Sequence, residues 1–205
     1  MNKKIYKIAL VGCGRVAQHY IKIIKQIKKT SIKIEAVCDT KKSKAIEMSK
    51  KINSKPYFDL KKMFKEIKVD LIIILTPSGL HYEHSNLALN FGFNVLVEKP
   101  ICLLSSDAEK LYRKAKSKKL LLSVGFQNGY NKAIVFLKNA LNKKLFGKIV
   151  SISVVLRWCR FQSYYSDDWH GTWKFDGGVI NQQAIHHIDA LNYIFGPIKK
   201  VSSFI

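Results

Sequence analysis

No apolar run in the sequence reaches the about 18 residues that a membrane-spanning helix needs. The densest, Leu71 to Leu75, is the length of a buried strand. The amino-terminal Met-Asn-Lys-Lys-Ile-Tyr-Lys has the charge of a secretory signal but lacks the apolar segment and small-residue cleavage site that would complete one. These absences lead us to expect a cytoplasmic protein with no membrane partner. Cysteine is sparse too: Cys13, Cys38, Cys102 and Cys159 stand singly, without the paired spacing of a zinc site or the density of a disulfide scaffold. Reduced thiols and no bound metal are the expectation.

Arginine is scarce where basic charge is not. The formal net charge is +22, yet among 36 basic residues only Arg15, Arg113, Arg157 and Arg160 are arginine. Readers of nucleic acid lean on arginine for forked contacts to bases and phosphates, with aromatic platforms between them. Here lysines such as Lys41, Lys42, Lys44, Lys50 and Lys51 are spread along the predicted helices, the pattern of a solvated surface. No specific nucleic-acid partner is expected, only the weak attraction to polyanions that such a charge brings.

With 205 residues, 47% of them apolar, the chain can bury a core and make one domain, or one and part of another. Its organising stretch is Phe-Asn-Val-Leu-Val-Glu-Lys-Pro, residues 93–100, where a short apolar strand ends in an acid, a base and a ring. In an open parallel sheet the carboxyl ends of the strands line the ligand crevice, so Glu98 and Lys99 meet whatever the sheet binds. Pro100 stops the ladder there.

Around that stretch, strand and helix signals alternate. A strand from Ile5 to Val11 runs into Gly12-Cys13-Gly14-Arg15-Val16-Ala17, the G-x-G-x-x-A pattern of a dinucleotide-binding turn, and a helical spacing (Val16, Tyr20, Ile23, Ile24, Ile27) follows. The free N–H groups and positive dipole end of that helix suit a pyrophosphate. A second strand, Ile32 to Cys38, ends in Asp39, which can accept hydrogen bonds from a ribose and would repel a 2′-phosphate, favouring NAD over NADP. The competing role for Asp39 is N-cap of a helix from Lys41. Strands at 56–58 and 70–75 and a helix over 59–67 continue the pattern. Thr76-Pro77-Ser78-Gly79 then breaks the chain at a further strand end, where it can line a nicotinamide. His81 and His84 open the next helix and read as caps or surface residues, not metal ligands. A helix over 105–117, capped by Ser105 or Ser106, and a strand over 120–124 complete a doubly wound parallel α/β domain over residues 1–125.

From residue 126 the texture changes. A polar and aromatic loop leads to a helix over 132–141 and to a long alternating segment over 148–160 that reads as a strand. The loop over 162–173 carries Tyr164, Tyr165, Trp169 and Trp173 beside Arg157, Arg160 and His170, a pocket suited to an anionic, ring-bearing substrate, or else an apolar plug. A helix begins at Gly177-Gly178 and carries Gln182, Gln183, His186, His187 and Asp189; Gln182 and His186, four apart, share a face. A last strand is expected over 201–205. Residues 126–205 therefore read as the beginning of an α+β open-sheet second domain.

In their order along the chain these motifs resemble the Gfo/Idh/MocA oxidoreductases. The segments around Leu156-Arg157-Trp158, Gly171-Thr172-Trp173 and His186-His187-Ile188-Asp189 are similar to those of the branch that oxidises the 3-hydroxyl of UDP-N-acetylglucosaminuronic acid. The resemblance implies a Rossmann domain holding NAD through Gly12, Cys13, Gly14, Arg15, Val16, Asp39, Thr76, Pro77, Ser78, His81, Glu98 and Lys99. It also implies catalysis by Lys99, His186 and Gln182, and a nucleotide-sugar or other sugar contacted by Lys99, Arg157, Arg160, Tyr164, Tyr165, Trp169, Trp173 and His187. Homo-oligomerisation through the second-domain sheet is implied as well. The chain departs from that pattern at Gln182, where many members have a carboxylate or asparagine. It departs again at Gly129, Lys132 and His170, where the branch has arginine, proline and arginine, which weakens the expectation of diphosphate or carboxylate binding. Family members are generally much longer, so a truncated chain, oligomeric or poorly soluble and weakly active, is expected. The alternative is an inactive dinucleotide-binding module.

Overall fold

The computed structural model describes residues 4–27 and 31–204. The chain divides into two compact units, residues 1–125 and 126–205. In the first, β1 (Ile5–Val11), β2 (Ser31–Cys38), β3 (Lys55–Tyr57), β4 (Leu71–Ile74), β5 (Val95–Val97) and β6 (Leu122–Val124) alternate with helices α1 (Arg15–Gln26), α2 (Lys42–Ile52), α3 (Leu60–Glu66), α4 (His81–Asn90) and α5 (Ser105–Ser117). The strands form one six-stranded sheet in the order β3-β2-β1-β4-β5-β6, with every neighbouring pair parallel. The chain winds outward from β1 in one direction and resumes at β4 on its other side, which opens a crevice beyond the carboxyl ends of β1 and β4.

The sheet is buried on both faces because its strands are apolar at successive positions. Side chains alternate between faces with a period of two, so Ile8, Leu10 and Ile73 meet Ala17 and Ile21 of α1 and Ala45 and Met48 of α2. Ala9, Val11, Ile72 and Ile74 meet Met63 and Phe64 of α3, Leu89 of α4 and Leu111 of α5 on the other face. Each fully buried Leu or Ile contributes about 1.5–3 kcal/mol relative to exposure.

Some expected details change. The buried stripe of α1 is Ala17 and Ile21 with Tyr20 and Ile24 beside them. Val16, Ile23 and Ile27, expected on that face, point outward. Neither Ser105 nor Ser106 caps α5; its N-cap is Leu104, and Asp107 in the first turn supplies the negative charge that a helix start favours. Asp59, in contrast, caps α3 by accepting the Lys62 N–H at 2.6 Å.

The second unit holds α6 (Lys132–Asn142), capped by the Asn131 side chain, and α7 (Ile185–Phe195), which ends at Gly196. One π turn, Ile180–Ala184, leads into α7. The expected strands over 148–160 and 201–205 do not form among the described residues; Ile205 lies outside them. Alternation alone does not make a strand, because the ladder needs a neighbour to take its N–H and C=O groups. The first segment has none, and its apolar side chains stay in solvent, Val150 at 90% and Val155 at 67% exposure. Among the described residues no helix is long and apolar enough to cross a membrane.

Candidate active site

In the first unit the candidate residues gather at the carboxyl ends of β2, β1, β4 and β5, four neighbours in the sheet. Gly12 sits at φ +95°, its N–H bonded to the Cys38 carbonyl at 2.8 Å. A Cβ built on it would lie 2.7 Å from the Leu75 carbonyl oxygen, so the turn after β1 presses directly on the end of β4. Gly14 is the reverse, with no heavy atom within 4 Å of a built Cβ. Gly14 is also the N-cap of α1, which has no side-chain cap and no acid in its first turn. An open glycine before a helix start without a capping side chain fits a pyrophosphate approaching the backbone.

Asp39 anchors this turn as well as facing the crevice. Its carboxylate accepts the Cys13 N–H at 2.9 Å and the Lys41 N–H at 2.8 Å. It does not cap α2, whose N-cap is Lys41. Each oxygen keeps a lone pair for a ribose hydroxyl. The Cys13 thiol is buried, and burial first, then Asp39, pushes its pKa up to about 12. It stays neutral, so the turn offers an incoming phosphate no thiolate.

The loop after β4 is fixed from within. His81 is buried at 1% exposure, with Nδ1 2.6 Å from the Pro100 carbonyl oxygen and Nε2 2.7 Å from that of Thr76. Burial pushes its pKa down against the pull of those carbonyls. His81 is therefore neither a cap nor a surface residue: it ties the end of β4 to the residue after Lys99. The Thr76 hydroxyl lies 3.1 Å from Nδ1 of His84, and Ser78 is buried.

Glu98 and Lys99 follow β5, and the Lys99–Pro100 peptide is cis. Oε2 of Glu98 accepts the Lys99 N–H at 3.1 Å, and Oε1 accepts the Tyr20 hydroxyl at 2.8 Å. Burial, and then Glu98, raise the Tyr20 pKa, so the phenol stays protonated and donates. Tyr20 was legible only as a helix residue, because nothing local marks a partner 78 residues away. We expect Tyr20→Phe to lower turnover about 3- to 10-fold at unchanged NADH affinity, the scale of one hydrogen bond lost beside a carboxylate. Equal turnover in steady-state assays of the two proteins would remove Tyr20 from the positioning of Lys99.

In the second unit the structure brings together Arg160, Tyr164, Tyr165, Trp169 and His170, with Trp158 added. The His170 ring packs at a tilt against Trp169 (ring centroids 3.7 Å apart) and Tyr164 (4.2 Å), while its Nδ1 lies 2.5 Å from the Asp167 carboxylate. Arg157 lies exposed, and Trp173 is 85% exposed, so neither joins the cluster. Gln182 is buried within the π turn and His186 follows in α7, so the two do not lie on one continuous regular helix. The His186 ring stands edge-on to Phe126 at 6.2 Å, and its backbone carbonyl accepts from Asn128 at 3.4 Å. His187 is half-buried on α7, its Nδ1 buried without a hydrogen-bond partner. Among the described residues no group of three or more His, Cys, Asp or Glu is gathered as a metal site requires.

Comparison with known proteins agrees with this layout. Residues 6–126 match the oxidoreductase family's NAD-binding Rossmann fold, and residues 134–205 match the GFO/IDH/MocA C-terminal domain. The chain is 25% identical to D-glucoside 3-dehydrogenase of Escherichia coli K12 over 201 residues, 96% of this chain and 56% of that protein. To the NADP-dependent scyllo-inositol 2-dehydrogenase IolW of Bacillus subtilis it is 27% identical, over 71% of this chain and 40% of that one. Among solved structures, the WlbA dehydrogenase of Chromobacterium violaceum, in complex with NADH and UDP-GlcNAcA, superposes with a TM-score of 0.90 at 33% identity, covering 96% of this chain and 57% of that one. The Bordetella pertussis WlbA, in the same kind of complex, gives 0.90 at 30% identity, covering 96% and 59%. The chain thus covers between 40% and 59% of the length of these proteins. Its first unit is an NAD-binding Rossmann domain, and the chain belongs to the Gfo/Idh/MocA oxidoreductase family.

Proposed function

We propose that this chain belongs to an NAD-dependent dehydrogenase that oxidises the C3 hydroxyl of a UDP-linked N-acetylhexosaminuronic acid to a ketone, in cytoplasmic steps of surface polysaccharide biosynthesis. The observation that carries the reading is the delivery of Lys99 to the same sheet edge as the Asp39-anchored glycine turn. The likeness to two WlbA dehydrogenases supports the substrate class. NAD, when bound, supplies the hydride acceptor. The Lys99 ammonium donates to the reacting hydroxyl oxygen and stabilises the alkoxide charge that develops on it. A ring nitrogen of His186 takes the hydroxyl proton, a task open to an imidazole because its unprotonated nitrogen accepts a proton and can return it. Gln182 can orient a hydroxyl but takes up no proton.

The test is turnover: the chain, UDP-N-acetylglucosaminuronic acid and NAD, followed by nicotinamide absorbance. NAD should bind about 10-fold or more tightly than NADP, because a 2′-phosphate meets the Asp39 charge. Asp39→Asn should narrow that ratio while weakening NAD itself, since an amide oxygen holds one N–H less well than the carboxylate holds two. Tighter NADP than NAD binding by calorimetry would falsify the NAD preference, and cofactor binding without turnover of any hexuronate would leave only an inactive dinucleotide-binding module. A homo-oligomer is part of the proposal, motivated by exposed Val150, Val155 and Phe161. Light scattering is expected to report a species larger than one chain; a monodisperse monomer would remove that part.

A further inference from the structure

His81 meets two carbonyl oxygens with its two ring nitrogens. Nδ1 lies 2.6 Å from the Pro100 oxygen and Nε2 2.7 Å from the Thr76 oxygen, and a carbonyl oxygen only accepts. A neutral imidazole has one N–H and one bare nitrogen, so it donates to one carbonyl and turns a lone pair on the other. The Nδ1–H tautomer holds Pro100, the Nε2–H tautomer holds Thr76, and only the doubly protonated ring holds both. Neither gap admits a bridging water. At 1% exposure the ring is closed to solvent, so a carbonyl it lets go loses the donor it faces. The two carbonyls belong to different walls of the crevice: Thr76 follows β4, and Pro100 follows Lys99 after the neighbouring β5.

Burial opposes a second proton on this ring most strongly and holds its pKa below the ordinary imidazole range. The Lys99 ammonium adds to that opposition, as do His84, one turn along α4, and the positive end of α4, which His81 opens. The two carbonyls and the Glu98 carboxylate favour the proton. At neutral pH the ring therefore carries one proton, and the second arrives in acid. Whatever draws both loops into place draws that proton with them, because each carbonyl stabilises the N–H that faces it.

We propose that His81 is a positioning residue that couples the turn lining the cofactor crevice to the peptide carrying Lys99, and that it holds both only while its ring carries two protons. With one proton, either the Thr76 or the Pro100 side is left unheld and must be ordered when the dinucleotide arrives; with two, both are in place beforehand. The dinucleotide therefore binds the doubly protonated form more tightly. By linkage its binding raises the affinity of the ring for the second proton by the same factor. The coupling needs the NAD-binding domain and no sugar, so the sugar-dehydrogenase reading can fail without it.

The experiment follows the ring nitrogens of the 205-residue chain, labelled in its six histidines, by NMR between about pH 4.5 and pH 8. The chain is titrated alone, with NAD, which unlike NADH survives acid, and with ADP, which brings the diphosphate without the nicotinamide. His81 is identified through the backbone assignment. Its titration midpoint should rise by about 0.5 pH unit or more with NAD, the equivalent of about a 3-fold affinity difference and the scale of one hydrogen bond gained. ADP should move it by less than half as much. Calorimetry should show NAD binding tighten about 3-fold or more from pH 7.5 to pH 5. In His81→Gln, whose amide keeps a donor and takes up no second proton, NAD affinity should change less than about 1.5-fold over that range; if this variant does not fold, the ring titrations of the unmodified chain decide. A ring that keeps one proton throughout with or without NAD overturns the coupling. So do equal shifts with NAD and ADP, which a plain field effect of the diphosphate would produce, and a folded His81→Gln whose NAD affinity follows pH as the unmodified chain's does. A chain that binds no NAD overturns it as well.

Discussion

Replacing Lys99 by alanine or His186 by asparagine should lower turnover about 100-fold or more, with NADH affinity nearly unchanged in the asparagine variant. Lys99 stands at the carboxyl end of β5, its N–H held by Glu98 and its neighbour Pro100 held by His81. Those contacts fix the backbone, so alanine at position 99 keeps the fold and removes only the ammonium. Losing a cation that stabilises alkoxide charge costs about 10²–10³ in rate. Losing a general base costs about 10²–10⁴. Asparagine at 186 is close to histidine in shape at its first atoms and can donate or accept a hydrogen bond, but it cannot carry the proton away. The two variants separate by pH. The asparagine variant should regain part of its rate as pH rises and hydroxide takes the proton, whereas the alanine variant should not. Steady-state assays from pH 6 to pH 10 would decide it, and full turnover by either variant strikes that residue from the mechanism.

How far the sequence could be read depended on whether a feature is local. The glycine turn, the alternation of strands with helices and the strand-end positions of Asp39 and Lys99 were legible because each rests on a few consecutive residues. That neighbouring strands pair in parallel followed from that alternation, since crossover helices force parallel neighbours, but their order β3-β2-β1-β4-β5-β6 did not. What escaped was long-range or dependent on a partner. Tyr20 looked like any apolar helix position, and its hydroxyl bond to Glu98 exists only because α1 and the end of β5 are folded together. His81 at the start of a helix suggested a cap, but a histidine enclosed by two loop carbonyls needs those loops to be seen first. The segment over 148–160 alternates as a strand does, yet pairing is a property of two segments, and alternation in one does not say which neighbour takes its N–H and C=O groups. In the loop over 162–173 the clustering of rings and bases was visible. Which arginine the rings would hold was not: the Arg160 guanidinium lies 4.0 Å from the Trp158 ring centroid and 5.1 Å from that of Tyr164, while Arg157, three residues away, stays in solvent.

Alanine at Gly12 should destabilise the first unit by about 3 kcal/mol and abolish measurable NADH binding, whereas alanine at Gly14 should weaken NADH binding about 10-fold or more with stability kept. Gly12 has φ +95°, a region that costs an L-residue roughly 1–2 kcal/mol. Its added Cβ would sit 2.7 Å from the oxygen and 2.8 Å from the carbon of the Leu75 carbonyl. Those are backbone atoms at the end of β4, bound into the sheet by the Leu75 N–H to Val11 carbonyl bond at 2.7 Å, so they cannot swing aside as a side chain would. Overpacking of that kind adds roughly 1–3 kcal/mol. The melting temperature should fall on the order of 10 °C. Gly14 differs in both respects: its φ of −81° suits any residue, and a Cβ there meets no atom within 4 Å. Alanine at 14 should therefore leave stability within about 0.5 kcal/mol, as for an unstrained exposed site. Gly14 is the N-cap of α1, where a pyrophosphate must come close to the backbone, so a Cβ there takes up space the phosphate needs and NADH affinity should still drop about 10-fold or more. Thermal melts and NADH fluorescence titrations of the two variants measure both quantities. If Gly14→Ala bound NADH as well as the unmodified chain, the pyrophosphate would have to lie elsewhere than on this turn; if Gly12→Ala melted unchanged, the turn would not bear on β4 as the structure has it.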